Sequence, residues 1–397
     1  MIEKLIFLIK QMIGGGAERM ISLLATQFSA RGYDCTVILT HQRKADADLS
    51  RLNDNIEVIS LEDEASPPIR LQALRTLPIK ARAKFDRIFL PDGKARQLVK
   101  MYKVRNYAKY HWLKNYFSQH KDAALVAFLY DSIFLTLLAA DKSNRVIISD
   151  RGDPEQSASS RTDMAFFKLK FKEADAVVFQ SPDVCRWYKE HFDLDGEVVF
   201  NPLSPGLPAP YNGERRKRVV NYCRISREKN LLLLIEAFSK FSETHPEYDL
   251  DIIGDPVGNG VDGYMDEVRS LAASKPCADR IHILPSSANV HREVLDYAMF
   301  VSSSDFEGMS NSMLEAMAIG LPTVCTDCPA GGARAVIRDH ENGILTPVGD
   351  ADALCRAMCE VADDPALAAK LSENGTKIAN EQSVDKIIER WMEIIND

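Results

Sequence analysis

Residues 300–325 read FVSSSDFEGMSNSMLEAMAIGLPTVC, and this stretch decides the fold class. Phe300–Ser302 predicts the end of a buried strand. A polar loop follows, and Asn311–Ala318 predicts a helix, with Met313, Leu314, Met317 and Ala318 at core spacing. Gly320 and Pro322 stop that helix before a second strand at Thr323–Cys325. Strand, helix and strand in so short a span make a βαβ crossover, whose strands run parallel.

The same alternation extends to both ends. In the amino-terminal half the predicted strands are Leu5–Ile9, Cys35–Thr40, Ile56–Leu61, Leu125–Leu129, Arg145–Ser149, Ala176–Gln180 and Glu197–Phe200. After Leu5–Ile9 come Gly14-Gly15-Gly16 and a helix marked by Met20, Ile21, Leu24, Ala25 and Phe28, which Gly32 ends. Prolines 202, 205, 208 and 210 cannot sit inside a central strand or helix, so Pro202–Pro210 predicts a linker. Beyond it the series resumes: strand Arg218–Cys223, helix Leu231–Phe241, strands Tyr248–Ile253 and Arg280–Leu284, then the stretch quoted first. Two α/β halves joined by a hinge imply a ligand cleft between them.

A chain of 397 residues agrees with two domains. Its 46% hydrophobic and 27% charged residues exclude disorder, and no apolar run approaches the roughly 20 residues of a membrane span. No secretory signal is visible, and eight cysteines in this length predict a reducing cytoplasm. A net charge of −8 argues against a nucleic-acid partner. The charge is uneven, however: residues 70–121 hold fourteen Lys/Arg against Asp86 and Asp92. Phe85, Phe89, Tyr102, Tyr107, Tyr110, Trp112, Tyr116 and Phe117 lie among them, a mixture suited to anionic lipid headgroups.

Three constellations carry chemistry, each with a bland counterpart. Gly14-Gly15-Gly16-Ala17-Glu18-Arg19 allows close approach to a helix N-terminus, or is only a tight turn. Arg224 and Lys229 fall just after a strand, where two cations suit a diphosphate, or are only a solvated loop. Glu307 and Glu315 flank a loop whose amides at Met309–Asn311 suit phosphate, and a carboxylate accepts from adjacent ribose hydroxyls. Ser312-x-x-Glu315 also has the form of a capping box. Cys325/Cys328 and Cys355/Cys359 have the spacing of zinc ligands, but their apolar settings predict buried thiols instead.

Together these residues resemble the GT-B retaining glycosyltransferases of family four, also called glycosyl transferases group one. The resemblance runs from Gly-Gly-Ala-Glu-Arg through Arg224…Lys229-Asn230 and Gly254-Asp255 to Glu307…Glu315 and Thr326-Asp-Cys-Pro-Ala-Gly-Gly332. It implies two Rossmann-like doubly wound parallel-sheet domains facing across a cleft. Residues 1–202 would bind acceptor, joined by a terminal helix at 380–397, and residues 203–379 would bind the nucleotide-sugar donor. It further implies that Arg224 and Lys229 hold the donor diphosphate, that Glu315 holds the ribose, and that Glu307 lies beside the sugar. Gly308, Met309, Ser310 and Asn311 would supply contacts to phosphate and sugar, with Gly15 and Gly16 opposite. Cys223 departs from the glycine usual before the first cation. At the end of the fifth strand, where many members have His or an acid, Asp150 and Arg151 are expected to touch donor sugar or acceptor.

The implied reaction moves a hexose-type sugar from a nucleotide diphosphate, UDP favoured, to a hydroxyl, with retention and without metal or other cofactor. The expected acceptor is a glycan or a polyprenyl-diphosphate-linked glycan in surface polysaccharide synthesis. The chain is then cytoplasmic and peripheral on the inner face of the plasma membrane, docked through residues 70–121. A GT-B epimerase or phosphorylase and an inactive sugar-binding partner are the competing readings.

Overall fold

The strands of the first sheet are β1 (Lys4–Ile9), β2 (Asp34–Leu39), β3 (Glu57–Ser60), β4 (Ala124–Phe128), β5 (Arg145–Ser149), β6 (Ala176–Phe179) and β7 (Glu197–Val198). They lie in the order β3-β2-β1-β4-β5-β6-β7, every neighbour parallel. The second sheet takes β8 (Arg216–Tyr222), β9 (Asp249–Ile253), β10 (Ile281–Leu284), β11 (Tyr297–Ser302), β12 (Thr323–Thr326) and β13 (Ile344–Thr346) in the order β10-β9-β8-β11-β12-β13, again parallel. These assignments come from a computed structural model that describes residues 2–13, 15–65, 69–157, 160–256 and 263–397. Each order winds outward from its first strand in both directions, as in doubly wound nucleotide-binding folds.

The chain forms two units, Met1–Phe200 with Ile387–Asp397, and Asn201–Lys386. Within the first, Phe7, Phe28, Phe128, Phe134, Phe166, Phe167 and Phe171 are fully buried. The chain's last helix, Val384–Asn396, adds Trp391, whose ring lies 5.8 Å from Phe128. The Arg145 guanidinium donates to the Ile394 carbonyl at 2.8 and 3.2 Å, satisfying an oxygen that the helix end leaves open. In the second unit, Leu234, Phe238 and Phe241 of helix Leu231–Thr244 share one buried core with Leu250 and Ile252 of β9 and Val301 of β11.

Within the basic window, helices span Ile69–Phe89, Gly93–Arg105 and Tyr107–Gln119, and the side chains of residues 69–74 lie outside the description. Here the structure corrects the aromatic pattern. Tyr102, Tyr110 and Phe117 are core residues, while Leu77, Phe85, Ile88 and Phe89 face outward. Periodicity identifies aromatics but not which side of a helix finds a neighbour. Asp86 is buried between Arg82 and Lys100, and Asp92 pairs with Lys168 at 2.8 Å. Among the described residues no helix is long and apolar enough to cross a membrane.

Candidate active site

In an open parallel sheet the crevice for a ligand opens where strand order reverses, outside the carboxyl ends. In the second unit that point lies between β8 and β11. The loop after β8 carries Arg224 and Lys229, and the loop after β11 carries Glu307–Ser310 before helix Asn311–Ala318. These two loops therefore flank one point of the sheet, and across it Lys229 meets Glu307.

Hydrogen bonds knit these loops together. Asp305 N donates to the Glu228 carbonyl at 2.9 Å, Ser303 Oγ to the Lys229 carbonyl at 2.9 Å, and Asn230 Nδ2 to Asp305 Oδ1 at 2.7 Å. Asn230 sits at φ +42, a conformation asparagine tolerates, and its side chain caps the helix starting at Leu231. From beyond β12, Thr326 Oγ1 and Cys328 Sγ both donate to the Ser304 carbonyl, at 2.6 and 3.2 Å. A Cβ on Gly332 would lie 1.7 Å from the Gly308 oxygen, so that glycine brings the third loop against the second.

Lys229 and Glu307 form a direct ion pair, and the lysine side chain is nearly buried. Burial works against the ammonium, but the Glu307 carboxylate outweighs it and holds the lysine pKa above its ordinary value. Lys229 is therefore a fixed cation at neutral pH. Arg224 is half exposed, its Nη2 3.9 Å from Glu228 Oε1. Cys223 is a neutral thiol, its pKa pushed up to about 12 by burial. The close backbone approach at this loop belongs to Gly254, where a Cβ would meet the Cys223 oxygen at 1.8 Å.

Glu315 is buried, and its setting overturns the capping-box expectation. The cap of helix Asn311–Ala318 is Ser310, whose Oγ accepts from Met313 N at 3.3 Å. The Glu315 carboxylate instead accepts from Ser204 Oγ at 2.7 Å and faces His291 Nε2 at 2.9 Å. Asn201 Nδ2 donates to Asn311 Oδ1 at 2.9 Å and to the Met309 carbonyl at 3.3 Å. Sequence reasoning missed Asn201, Ser204 and His291. No spacing rule links them to residues 24 to 111 positions away.

Of the first unit's expected residues, Gly15 is the N-cap of helix Gly16–Ala30, and Gly14 lies outside the described residues. The Glu18 carboxylate folds back so closely that a Cβ on Gly15 would sit 2.0 Å from it. This buried acid at the helix N-terminus was also missed as a site residue, though Glu three positions past a cap is a recognisable signal. Asp150 and Arg151 directly follow β5 and are buried. Asp150 accepts from Tyr188 Oη at 2.8 Å and Tyr130 Oη at 3.1 Å, and burial raises its pKa to about 6. Arg151 donates to the Val199 carbonyl at 3.3 Å, and burial lowers its pKa to about 9.

A cavity of about 330 Å³ opens at the carboxyl ends of β9 and β10, lined by Asp255, Arg269 and Pro285 among others. A larger one of about 890 Å³, around Tyr211, Lys217 and Tyr248, lies at the opposite strand ends and holds none of the expected residues. Among the described residues no group of three or more His, Cys, Asp or Glu is placed to hold a metal.

Residues 209–378 match the family model described as glycosyl transferases group 1. An exopolysaccharide phosphotransferase of Streptomyces coelicolor is 26% identical over 233 residues, covering 58% of this chain and 24% of that protein. The poly(glycerol-phosphate) alpha-glucosyltransferase of Bacillus subtilis is 28% identical over 229 residues, covering 56% and 32%. The chain spans between 24% and 49% of the length of the first curated relatives it matches. Over the full length of both chains, a structure of S. aureus TarM with Fondaparinux, alpha-GlcNAc-glycerol and UDP superposes with a TM-score of 0.74 at 12% identity. The two parallel α/β units thus have the fold of GT-B glycosyltransferases, and the segment that matches the group 1 model lies within the second of them.

Proposed function

We propose that this chain is a retaining glycosyltransferase that moves a sugar from a nucleoside-diphosphate donor, UDP-linked, to a hydroxyl of a glycan or a polyprenyl-diphosphate-linked glycan. The observation that carries this reading is the Lys229–Glu307 pair at the strand-order reversal of one parallel sheet, with Arg224 on the same loop as Lys229 and Glu315 on the helix that follows Glu307. The leaving group is a diphosphate, so catalysis must stabilise negative charge growing on its oxygens. Lys229, kept protonated, and Arg224, half exposed and able to turn, supply that charge. Amides at the start of helix Asn311–Ala318 add donors, and Glu315 accepts from the ribose hydroxyls. No metal ion is needed for this chemistry.

In the ligand-free protein Glu307 neutralises Lys229. Arrival of the diphosphate gives the lysine a second anion, which frees Glu307 to turn toward the sugar. The acceptor oxygen bonds the anomeric carbon from the face the diphosphate leaves, and its proton passes to a diphosphate oxygen. The anomeric configuration is thereby kept. A TarM structure with UDP and alpha-GlcNAc-glycerol, and the alpha-glucosyltransferase name of the B. subtilis relative, support both the donor and the stereochemistry. The first unit binds acceptor and rests on an anionic membrane surface through the helices of the basic window, where Leu77, Phe85, Ile88 and Phe89 are exposed.

A thermal-shift screen against UDP-, GDP-, dTDP- and ADP-sugars tests the donor. A UDP-sugar at a hundredfold excess over its Kd adds about 2.7 kcal/mol, a rise of a few degrees. No shift with any of the four overturns the reading. NMR of the product reports the anomer: retention is expected, and inversion overturns the mechanism. Isomerised donor formed without acceptor identifies an epimerase instead.

A further inference from the structure

Three side chains outside the expected set are built around the donor residues, and two of them act on one carboxylate. Ser204 Oγ donates to Glu315 Oε1 at 2.7 Å, and His291 Nε2 lies 2.9 Å from Oε2. A carboxylate only accepts, so the His291 ring must carry its proton on Nε2. The two bonds reach different oxygens from different elements. Ser204 belongs to the proline-rich segment before β8, and His291 to the short helix Val290–Glu293 before β11. Together they fix both the position of the carboxylate and the rotation of its plane.

The support is layered. Tyr222, at the end of β8, packs its ring edge-on against His291 with centroids 5.6 Å apart, and its hydroxyl donates to the Ser312 carbonyl at 2.9 Å. The imidazole is thus pinned to the helix that carries Glu315. Only 20% of the His291 side chain and 6% of the Glu315 side chain are exposed. Helix capping does not account for this investment, because Ser310 already caps the helix.

We infer that Ser204 and His291 are positioning residues that hold the Glu315 carboxylate for two adjacent hydroxyls of the donor's ribose. The inference rests on the donor reading above and extends it to two residues that never touch the sugar. Losing one orienting bond leaves the acid present but free to rotate, so both ribose hydroxyls are gripped less well. A fold defect would weaken every nucleotide alike. Loss of orientation weakens only those that carry both hydroxyls.

Calorimetric titration with UDP, 2′-deoxy-UDP and 3′-deoxy-UDP separates these cases. The unmodified protein is expected to prefer UDP over either deoxy form by roughly tenfold, the worth of one hydrogen bond to a charged group. Ser204→Ala and His291→Leu should each weaken UDP by a similar factor while leaving the deoxy forms nearly unchanged, so that the preference collapses. His291→Gln, which keeps an N–H donor, should restore most of it. Should the unmodified protein show the preference and both variants retain it, this inference fails while the donor reading stands. Should the unmodified protein bind all three forms equally, or none, the ribose role of Glu315 falls and this inference falls with it. Equal weakening of all three nucleotides in the variants assigns a merely structural role and also overturns it.

Discussion

At Asp150 the carboxylate lies 3% exposed beneath two tyrosine hydroxyls, and burial raises its pKa from 3.8 to about 6. Unfolded, this acid ionises near its ordinary value. Between about pH 4 and pH 6 the folded chain therefore holds a proton that the unfolded chain has released, and stability falls as pH rises through that window. Asp150→Asn removes this dependence while keeping a carbonyl for the tyrosines. Relative to the unmodified protein, the variant should gain on the order of 2 kcal/mol between pH 4 and pH 7, read from denaturant melts. A stability difference that does not change with pH would refute the buried-acid account. The same burial leaves Asp150 3% and Arg151 8% exposed, so neighbouring side chains cover most of the two residues expected to touch donor sugar or acceptor. Position at a strand end was readable, but depth beneath neighbouring side chains was not.

Among the elements, the three loops at the carboxyl edge of the second sheet behave as one assembly, and Gly332 is where two of them touch. An alanine there would drive its Cβ against the Gly308 oxygen, which backbone cannot yield cheaply. Gly332→Ala is expected to destabilise by about 1–3 kcal/mol and to weaken donor binding, since residues 308–311 must shift. Gly375→Ala is the contrast. It lies in helix Pro365–Gly375, and its added Cβ would meet its nearest neighbours at an ordinary 3.5 Å. It should be neutral, or stabilising by up to about 1 kcal/mol. Chemical melts and nucleotide titration of both variants check this, and equal behaviour would sink the close-contact explanation. Strand limits were mostly legible within two residues, because strands covered on both faces read as continuous apolar runs. β13, at Ile344–Thr346, was not, since three residues are too few to display a period.

For the whole molecule, the uneven charge makes the proposed membrane contact testable. Each Lys or Arg near an anionic bilayer contributes about 1 kcal/mol, and exposed Phe85, Ile88 and Phe89 add apolar area. The protein should sediment with phosphatidylglycerol vesicles at low salt and be released near 1 M salt, where screening shortens to about 3 Å. Equal binding to neutral vesicles, or no binding at low salt, would end the membrane proposal. Local sequence by itself determined the two parallel α/β halves, the helix at Asn311–Ala318 and the presence of cations and acids at strand ends. Hydrophobic period and proline or glycine punctuation are written into neighbouring residues, so those features need no knowledge of the rest of the chain. Tertiary structure alone decided that Glu315 answers to Ser204 and His291 rather than to its own helix cap. It also decided that Lys229 pairs with Glu307, and that Tyr102, Tyr110 and Phe117 are core. Hydrogen bonds, ion pairs and burial are relations through space, and only folding brings residues far apart in the chain within the few ångströms over which they act.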